Sequence, residues 1–237
     1  MRFSICMAAY EMSTYGDVFL EENFSHLERQ TFKDFEVVLG DHSRDGRILE
    51  VCDRWAERLN LTYIKNYRGR GSSAANLNRT MKMVSGDIVV FLFQDDYLIN
   101  PDALAILDQT IAGREFSWGK LSVACTRDGH EFYSSLVPVF DKRLIEGHNT
   151  MSNQSGLVVA REKLVEFDEK LFSLIDCEYF ARLYLMYGEP LIVPEICLSI
   201  RIHPAAVVLI PRSAEDFGRE VSYVREKLSR NFANFWG

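Results

Sequence analysis

The sequence predicts an α/β fold in which a mostly parallel central sheet is flanked by helices. Three observations carry that prediction. Short apolar runs alternate with segments of helical spacing through the first hundred residues. The runs suit strands buried on both faces, as parallel strands are. Polar clusters at Tyr10-Glu11, Gly40 to Asp45 and Gln94-Asp95-Asp96 fall where three of these runs end, the edge of such a sheet where ligands collect.

In order along the chain, Phe3 to Ala9 reads as a buried strand, and Val18 to Gln30 as a helix carrying Val18, Leu20, Phe24 and Leu27 at helical spacing. Phe35 to Gly40 is a second strand, Ile48 to Leu59 a second helix, Leu61 to Ile64 a third strand and Ser72 to Val84 a third helix. Asp87 to Phe93 is a fourth, β-branched strand, and a helix is expected after Pro101, whose fixed φ suits a first helical position. The second half is less regular: strands at Leu121 to Thr126 and Gly156 to Ala160, a helix from Phe172 to Tyr187, and one or two short strands from Leu191 to Arg201. The tail from Phe217 to Gly237 places Val221, Val224, Leu228 and Phe232 at helical spacing. Packing back on the domain is its expected role, with a homodimer contact left open. The expected organisation is one domain over residues 1–237. Residues 1–100 form a nucleotide-type half, and residues 101–237 an acceptor-type half ending in that helix.

With 237 residues, 47% apolar and 26% charged, the chain has ordinary globular composition. A net charge of −7 speaks against a general nucleic-acid binder. Five scattered cysteines, none in a Cys-x-x-Cys pair, fit reduced thiols better than a disulfide frame or a zinc site. No apolar run approaches the roughly 20 residues of a membrane span, and no signal-peptide pattern opens the chain. A cytoplasmic location is the expectation.

Four constellations carry chemistry. The strand Phe91-Leu92-Phe93 ends in Gln94-Asp95-Asp96, and adjacent carboxylates are tolerated where a divalent cation or a set of hydroxyls neutralises them. Hard oxygen ligands suit Mg²⁺ or Mn²⁺, which hold a diphosphate in turn; a plain helix cap is the competing reading. Arg68-Gly69-Arg70-Gly71-Ser72 precedes a helix, so backbone N–H groups and arginines can face an anion, or the serine can simply cap the helix. Asp176 and Glu178 interrupt an apolar, helix-forming stretch, as a cap or as a base for group transfer. Arg201-Ile202-His203-Pro204 closes a strand, where His is a neutral ligand or phosphate donor and Arg an anion clamp.

In this order the features resemble glycosyltransferase family 2, inverting enzymes of the GT-A fold. Ala9-Tyr10-Glu11 resembles the family's Thr-Tyr-Asn strand exit, which contacts the donor base. The run Gln30 to Val38 resembles its Gln-Thr-aromatic…Phe-Glu-Ile-Ile stretch, and Asp41 to Asp45 its Asp-x-Ser-x-Asp loop. Asn78 with Ser85-Gly86-Asp87 falls at the spacing of its Arg-Asn-x-Gly…Gly-Glu helix, and Gln94-Asp95-Asp96 at its Asp-x-Asp.

The resemblance implies a nucleotide-sugar donor and a glycan, lipid-linked or protein acceptor. Ala9, Tyr10, Glu11, Asp41, Arg70, Gly71, Asn78, Gln94 and Asp95 are then donor-binding candidates, with Asp95 near the ribose or sugar. Asp96 would hold Mn²⁺ or Mg²⁺ with His203 near the metal or diphosphate, and Asp176 would be the general base. Gly40 departs from the aspartate that reads uracil, with Asp41 the expected substitute; Gln94 and Ile175 replace two further acidic residues. A nucleotidyltransferase is disfavoured because Tyr10-Glu11-Met12 stands where its basic Gly-rich loop belongs. A degenerate carbohydrate-binding module is the reading Gln94 and Ile175 favour. Trp118, Tyr133 and His148 are the candidate acceptor contacts.

Overall fold

Among the described residues nine strands form one sheet. The computed structural model describes residues 1–204 and 213–231. Along the chain run β1 (Phe3–Ala9), α1 (Gly16–Glu28), β2 (Phe35–Asp41), α2 (Arg47–Trp55), β3 (Leu61–Lys65), α3 (Ser73–Thr80), β4 (Ile88–Phe91), β5 (Tyr97–Leu98) and α4 (Ala103–Ile111). The second half holds β6 (Trp118–Thr126), β7 (Phe132–Leu136), β8 (Leu157–Ala160), α5 (Ile175–Tyr187), β9 (Leu191–Arg201) and α6 (Ala214–Asn231).

The sheet order is β3-β2-β1-β4-β8-β6-β9-β5, with β7 paired to β6; β3, β2, β1 and β4 run parallel, the arrangement that helical crossovers enforce. Their side chains alternate between two apolar layers. Phe3, Ile5, Met7 and Ala9 of β1 join Leu20, Phe24 and Leu27 of α1 and Trp55 of α2 on one face. Cys6 and Ala8 point the other way, toward Leu77 of α3 and Phe180 of α5. Beyond β4 the sheet turns mixed: β8 is antiparallel to β4 and to β6, while β9 runs parallel to β6. The two halves expected from the sequence therefore share an unbroken sheet.

The expected elements appear with shifted ends. Leu191 to Arg201 is one strand, and register shifts near Ser122 accommodate its Pro194. The two-residue β5 and the exposed β7 carry no periodic signal and were not expected. All five cysteines are free, four of them buried. Val224 and Leu228 of α6 pack into the second apolar layer. Phe232 and the closing Phe235-Trp236-Gly237 lie outside the described residues. No helix among the described residues is long and apolar enough to cross a membrane.

Candidate active site

A cleft of about 900 Å³ opens at the carboxyl ends of β1, β2 and β4. The sequence candidates Ala9, Tyr10, Glu11, Arg70, Gly71, Asp95, Asp96 and Asp176 all line it. The β1 exit supplies the first three. Arg70 and Gly71 come from the turn before α3, where Gly71 takes φ 87° and Ser72 caps the helix by accepting the Ala75 N–H. Residues Glu169 to Ser173 and Asp176 close the far wall. Tyr10 sits beside Asp95 and Glu11; burial, then those two charges, push its phenol up to about 12.

Four candidates lie elsewhere, each for a visible reason. Asp41 is fully buried and saturated, accepting from Ser43 N (2.6 Å), Ser43 Oγ (2.8 Å), Tyr63 OH (2.7 Å) and Lys65 Nζ (2.7 Å). Its side chain leaves the strand on the side opposite to position 40, because neighbours on a strand alternate between the faces of a sheet. Position 40 admits no side chain: a Cβ there would strike Thr80 Oγ1 and Asn76 Oδ1. Asn76 fills that space, donating to the Gly40 carbonyl at 2.8 Å and accepting from Asn66. Asn78 points away from the cleft and anchors the loop beneath it, donating to Phe167 O (2.9 Å) and Glu169 Oε1 (3.0 Å) while accepting from Phe167 N.

Gln94 is likewise internal. Its Oε1 accepts from Tyr10 N, and its Nε2 donates to Tyr10 O (2.8 Å) and Gly16 O (3.0 Å), so it clamps the β1 exit to the β4 exit. A neutral amide can serve both backbone groups where a carboxylate, having only acceptors, serves one. His203 sits behind Asp95, with its Nε2 3.0 Å from Asp95 Oδ2. It does not meet Asp96, the residue with which the sequence paired it. Both Asp96 oxygens are engaged instead: Oδ1 accepts from Arg201 N (3.0 Å) and Oδ2 from Asn153 Nδ2 (3.2 Å). The Arg201 guanidinium pairs with Glu22 at 2.6 Å beside the Phe19 ring, which occupies the fork that an anion clamp would need.

The electrostatics centre on three groups. Burial, reinforced by the neighbouring Asp95 charge, pushes the Asp96 carboxyl up to about 7. Burial pushes Asp176 up to about 6, against hydrogen bonds from the Cys177 N–H and the charge of Lys120. Lys120, fully buried, is pushed down to about 7 by the same loss of water, while Asp176 and Asp96 pull it back up. A carboxylate poised near 6 accepts a proton readily at neutral pH.

Among the described residues no group of three or more His, Cys, Asp or Glu side chains forms a ready-made metal cage. Mg²⁺-type sites rarely need one, since one or two protein ligands and substrate phosphates complete them. Asp95 fits that requirement: its carboxylate lines the cleft, with His203 Nε2 behind it at 3.0 Å from Oδ2.

Several cleft residues escaped the sequence reading. His42 lines the cleft with an Nε2 that has no hydrogen-bond partner among the described residues, and burial holds its imidazole below the usual range. Asn153 lines the cleft beside Asp96, and Asn149 donates to Asp176 Oδ2 at 2.9 Å. Lys120 left one usable signal, a charge inside an otherwise apolar strand. The three acceptor candidates do not reach the cleft. Trp118 is a core residue donating to Gly188 O, and Tyr133 and His148 are exposed elsewhere. Ile175 packs in the second apolar layer, which accounts for its lack of charge.

Residues 4–166 match the model of the family described as glycosyl transferase family 2. The poly(ribitol-phosphate) β-N-acetylglucosaminyltransferase TarS of Staphylococcus aureus is 27% identical over 114 residues, 46% of this chain. The matched stretch is 19% of that protein's length. The crystal structure of S. aureus TarS 1-349 in complex with UDP-GlcNAc superposes with a TM-score of 0.78 at 20% identity, covering 97% of this chain and 67% of that one. A mannosyltransferase from Pyrobaculum calidifontis in complex with GDP-Man and Mn²⁺ gives 0.58 at 21% identity, over 90% of this chain and 58% of that one. At such identities the structural likenesses speak for the fold.

Proposed function

The chain belongs to glycosyl transferase family 2, and from that premise we propose that it transfers a sugar, with inversion, from a UDP-linked donor to an acceptor hydroxyl in glycan or polysaccharide synthesis. One observation carries the reading: Asp95, backed by His203, and Asp176 face a single cleft from the β4 exit and from the start of α5. A carboxylate on one wall and a second on the other are what a metal-bound diphosphate and an attacking hydroxyl would each require, and this supports the reading.

In the transfer, the acceptor oxygen bonds to the anomeric carbon while the bond from that carbon to the diphosphate breaks. The bonding pair leaves with the nucleoside diphosphate. Asp176 takes the proton of the attacking hydroxyl, and Asn149 fixes the orientation of its carboxylate. The Arg70-Gly71 turn and the N-terminus of α3 face the phosphates, where backbone N–H groups favour negative charge. Asp95, with His203 behind it, would hold Mn²⁺ or Mg²⁺. The chemistry such an ion supplies when bound is Lewis-acid neutralisation of charge on the departing diphosphate. Gln94 keeps the Tyr10 backbone in register with Asp95, so the donor pocket and the cation edge move as one piece.

The printed ligands of the similar structures, UDP-GlcNAc and GDP-Man with Mn²⁺, support a nucleotide-sugar donor and a divalent ion. Thermal-shift measurements with UDP, GDP and dTDP, each with and without Mn²⁺, test the reading. Stabilisation by UDP that requires Mn²⁺ is expected, followed by UDP release from a UDP-sugar in the presence of acceptor. No stabilisation by any of the three nucleotides would overturn it.

A further inference from the structure

Lys120 is 0% exposed in the middle of β6, where an ammonium without partners would be strongly disfavoured. It donates to Asn153 O at 2.8 Å and Ser155 O at 2.6 Å, with the Phe180 ring centroid 5.6 Å away. Both carbonyls belong to the segment from Asn149 to Ser155, whose side chains reach Asp176 and Asp96, the neighbour of Asp95. Asn149 Nδ2 donates to Asp176 Oδ2, and Asn153 Nδ2 to Asp96 Oδ2. Ser155 Oγ accepts the Phe93 N–H at 2.9 Å, tying the same segment to the β4 exit. Ser152 takes φ 68°, a conformation that persists only where surrounding contacts impose it. The segment is therefore a bridge between the metal-side and base-side walls, and its backbone is fastened by one buried cation.

We propose that Lys120 is a positioning residue for the transfer step: its ammonium fastens the Asn149–Ser155 bridge and places a positive charge beside Asp176. The inference rests on Asp176 being the base. The surroundings of Asp176 make the charge effect readable. Lys120 approaches from β6, the Cys177 thiol from α5 itself, and Asn149 from the bridge; burial raises the Cys177 thiol, so it stays neutral. Glu169 and Lys170 line the same cleft from the loop ahead of α5, and Asp96 acts on Lys120 from the β4 exit. Loss of the Lys120 charge leaves Asp176 harder to ionise.

Lys120→Gln keeps donors for the two carbonyls and removes the charge; Lys120→Met removes both. In Lys120→Gln the acid limb of the kcat profile moves up by about one pH unit, while UDP-sugar affinity with Mn²⁺ stays within about threefold of wild type. In Lys120→Met the limb moves likewise and kcat falls at least about tenfold further, because the bridge loses its fastening. An unmoved limb in a folded variant overturns the proposal. If neither variant folds, ¹⁵N NMR of the Lys120 ammonium in Asp176→Asn decides: removing Asp176 must lower its titration midpoint, and an unchanged midpoint refutes the coupling. Wild-type turnover in Asp176→Asn would instead sink the base assignment itself. Loss of turnover there, with an unmoved limb in Lys120→Gln, sinks only the role of Lys120.

Discussion

Asp176→Asn separates what Asp176 does for chemistry from what it costs the fold. Base assistance is worth about 10²–10⁴ in rate, about 3–5 kcal/mol of barrier, and the amide cannot accept the proton. Its single oxygen can still accept the hydrogen bond from Asn149, giving up the one from the Cys177 N–H of the same helix turn. The stability effect has the opposite sign. Burial raises the carboxyl from 3.8 to about 6, which means the folded state resists its ionisation by up to about 3 kcal/mol. Asp176 is half-buried, and solvent reduces that figure to about 1–2 kcal/mol. Because the folded value lies above the unfolded one, wild type has its full stability below about pH 4 and loses this share as pH rises through about 6. The neutral amide loses nothing. At pH 8 the variant should melt roughly 2–8 °C higher than wild type, and at pH 4 the two should coincide, with kcat down at least about 100-fold. Donor affinity measured by calorimetry should stay within a few-fold. Equal melting temperatures at pH 8, or near-normal turnover, would refute the reasoning.

Wild-type kcat should fall as pH drops through about 6, since Asp176 works ionised and burial has lifted it there; a profile flat down to pH 4.5 would count against it. His203→Ala should weaken Mn²⁺ binding about 10–100-fold, as loss of a ligand's partner does, measured as the Mn²⁺ concentration for half-maximal UDP stabilisation. Asp95→Asn should do at least as much, and Asp96→Asn distinctly less, because both Asp96 oxygens already serve internal donors; the reverse ranking would return the cation to Asp96. Asp41→Ala should destabilise by about 3–5 kcal/mol, the cost of stranding the partner of a buried ion pair, seen as a melting temperature roughly 6–20 °C lower. An unchanged melting temperature would show that the Lys65 pair contributes nothing.

The first half of the fold was legible because buried parallel strands announce themselves. Ile5, Val37 and Val90 sit in register across β1, β2 and β4, and each belongs to an apolar run visible in the chain. The site's location followed from strand exits, and eight candidates do line the cleft. What failed was assignment among neighbours. Asp41 and Gly40 differ by one residue and so face opposite sides of the sheet. Asp95 and Asp96 differ by one residue, and only the approach of β9, bringing Arg201 N and His203, decides which carboxylate is spent on the fold. Asn76 rather than Asn78 reaches the cleft for a related reason, the phase of α3 against β2.

By itself the sequence determined the α/β class, the family and the three strand exits around which the site is built, since these depend on local periodicity and short contiguous motifs. Tertiary structure alone decided which side chains remain free to meet a ligand. That is a question of saturation: a buried polar group that already has its partners offers nothing more, and those partners come from 24 residues away for Asp41 and 105 for Asp96. Lys120, placed inside an apolar strand and fastened by carbonyls 33 and 35 residues on, takes its meaning from such a closure.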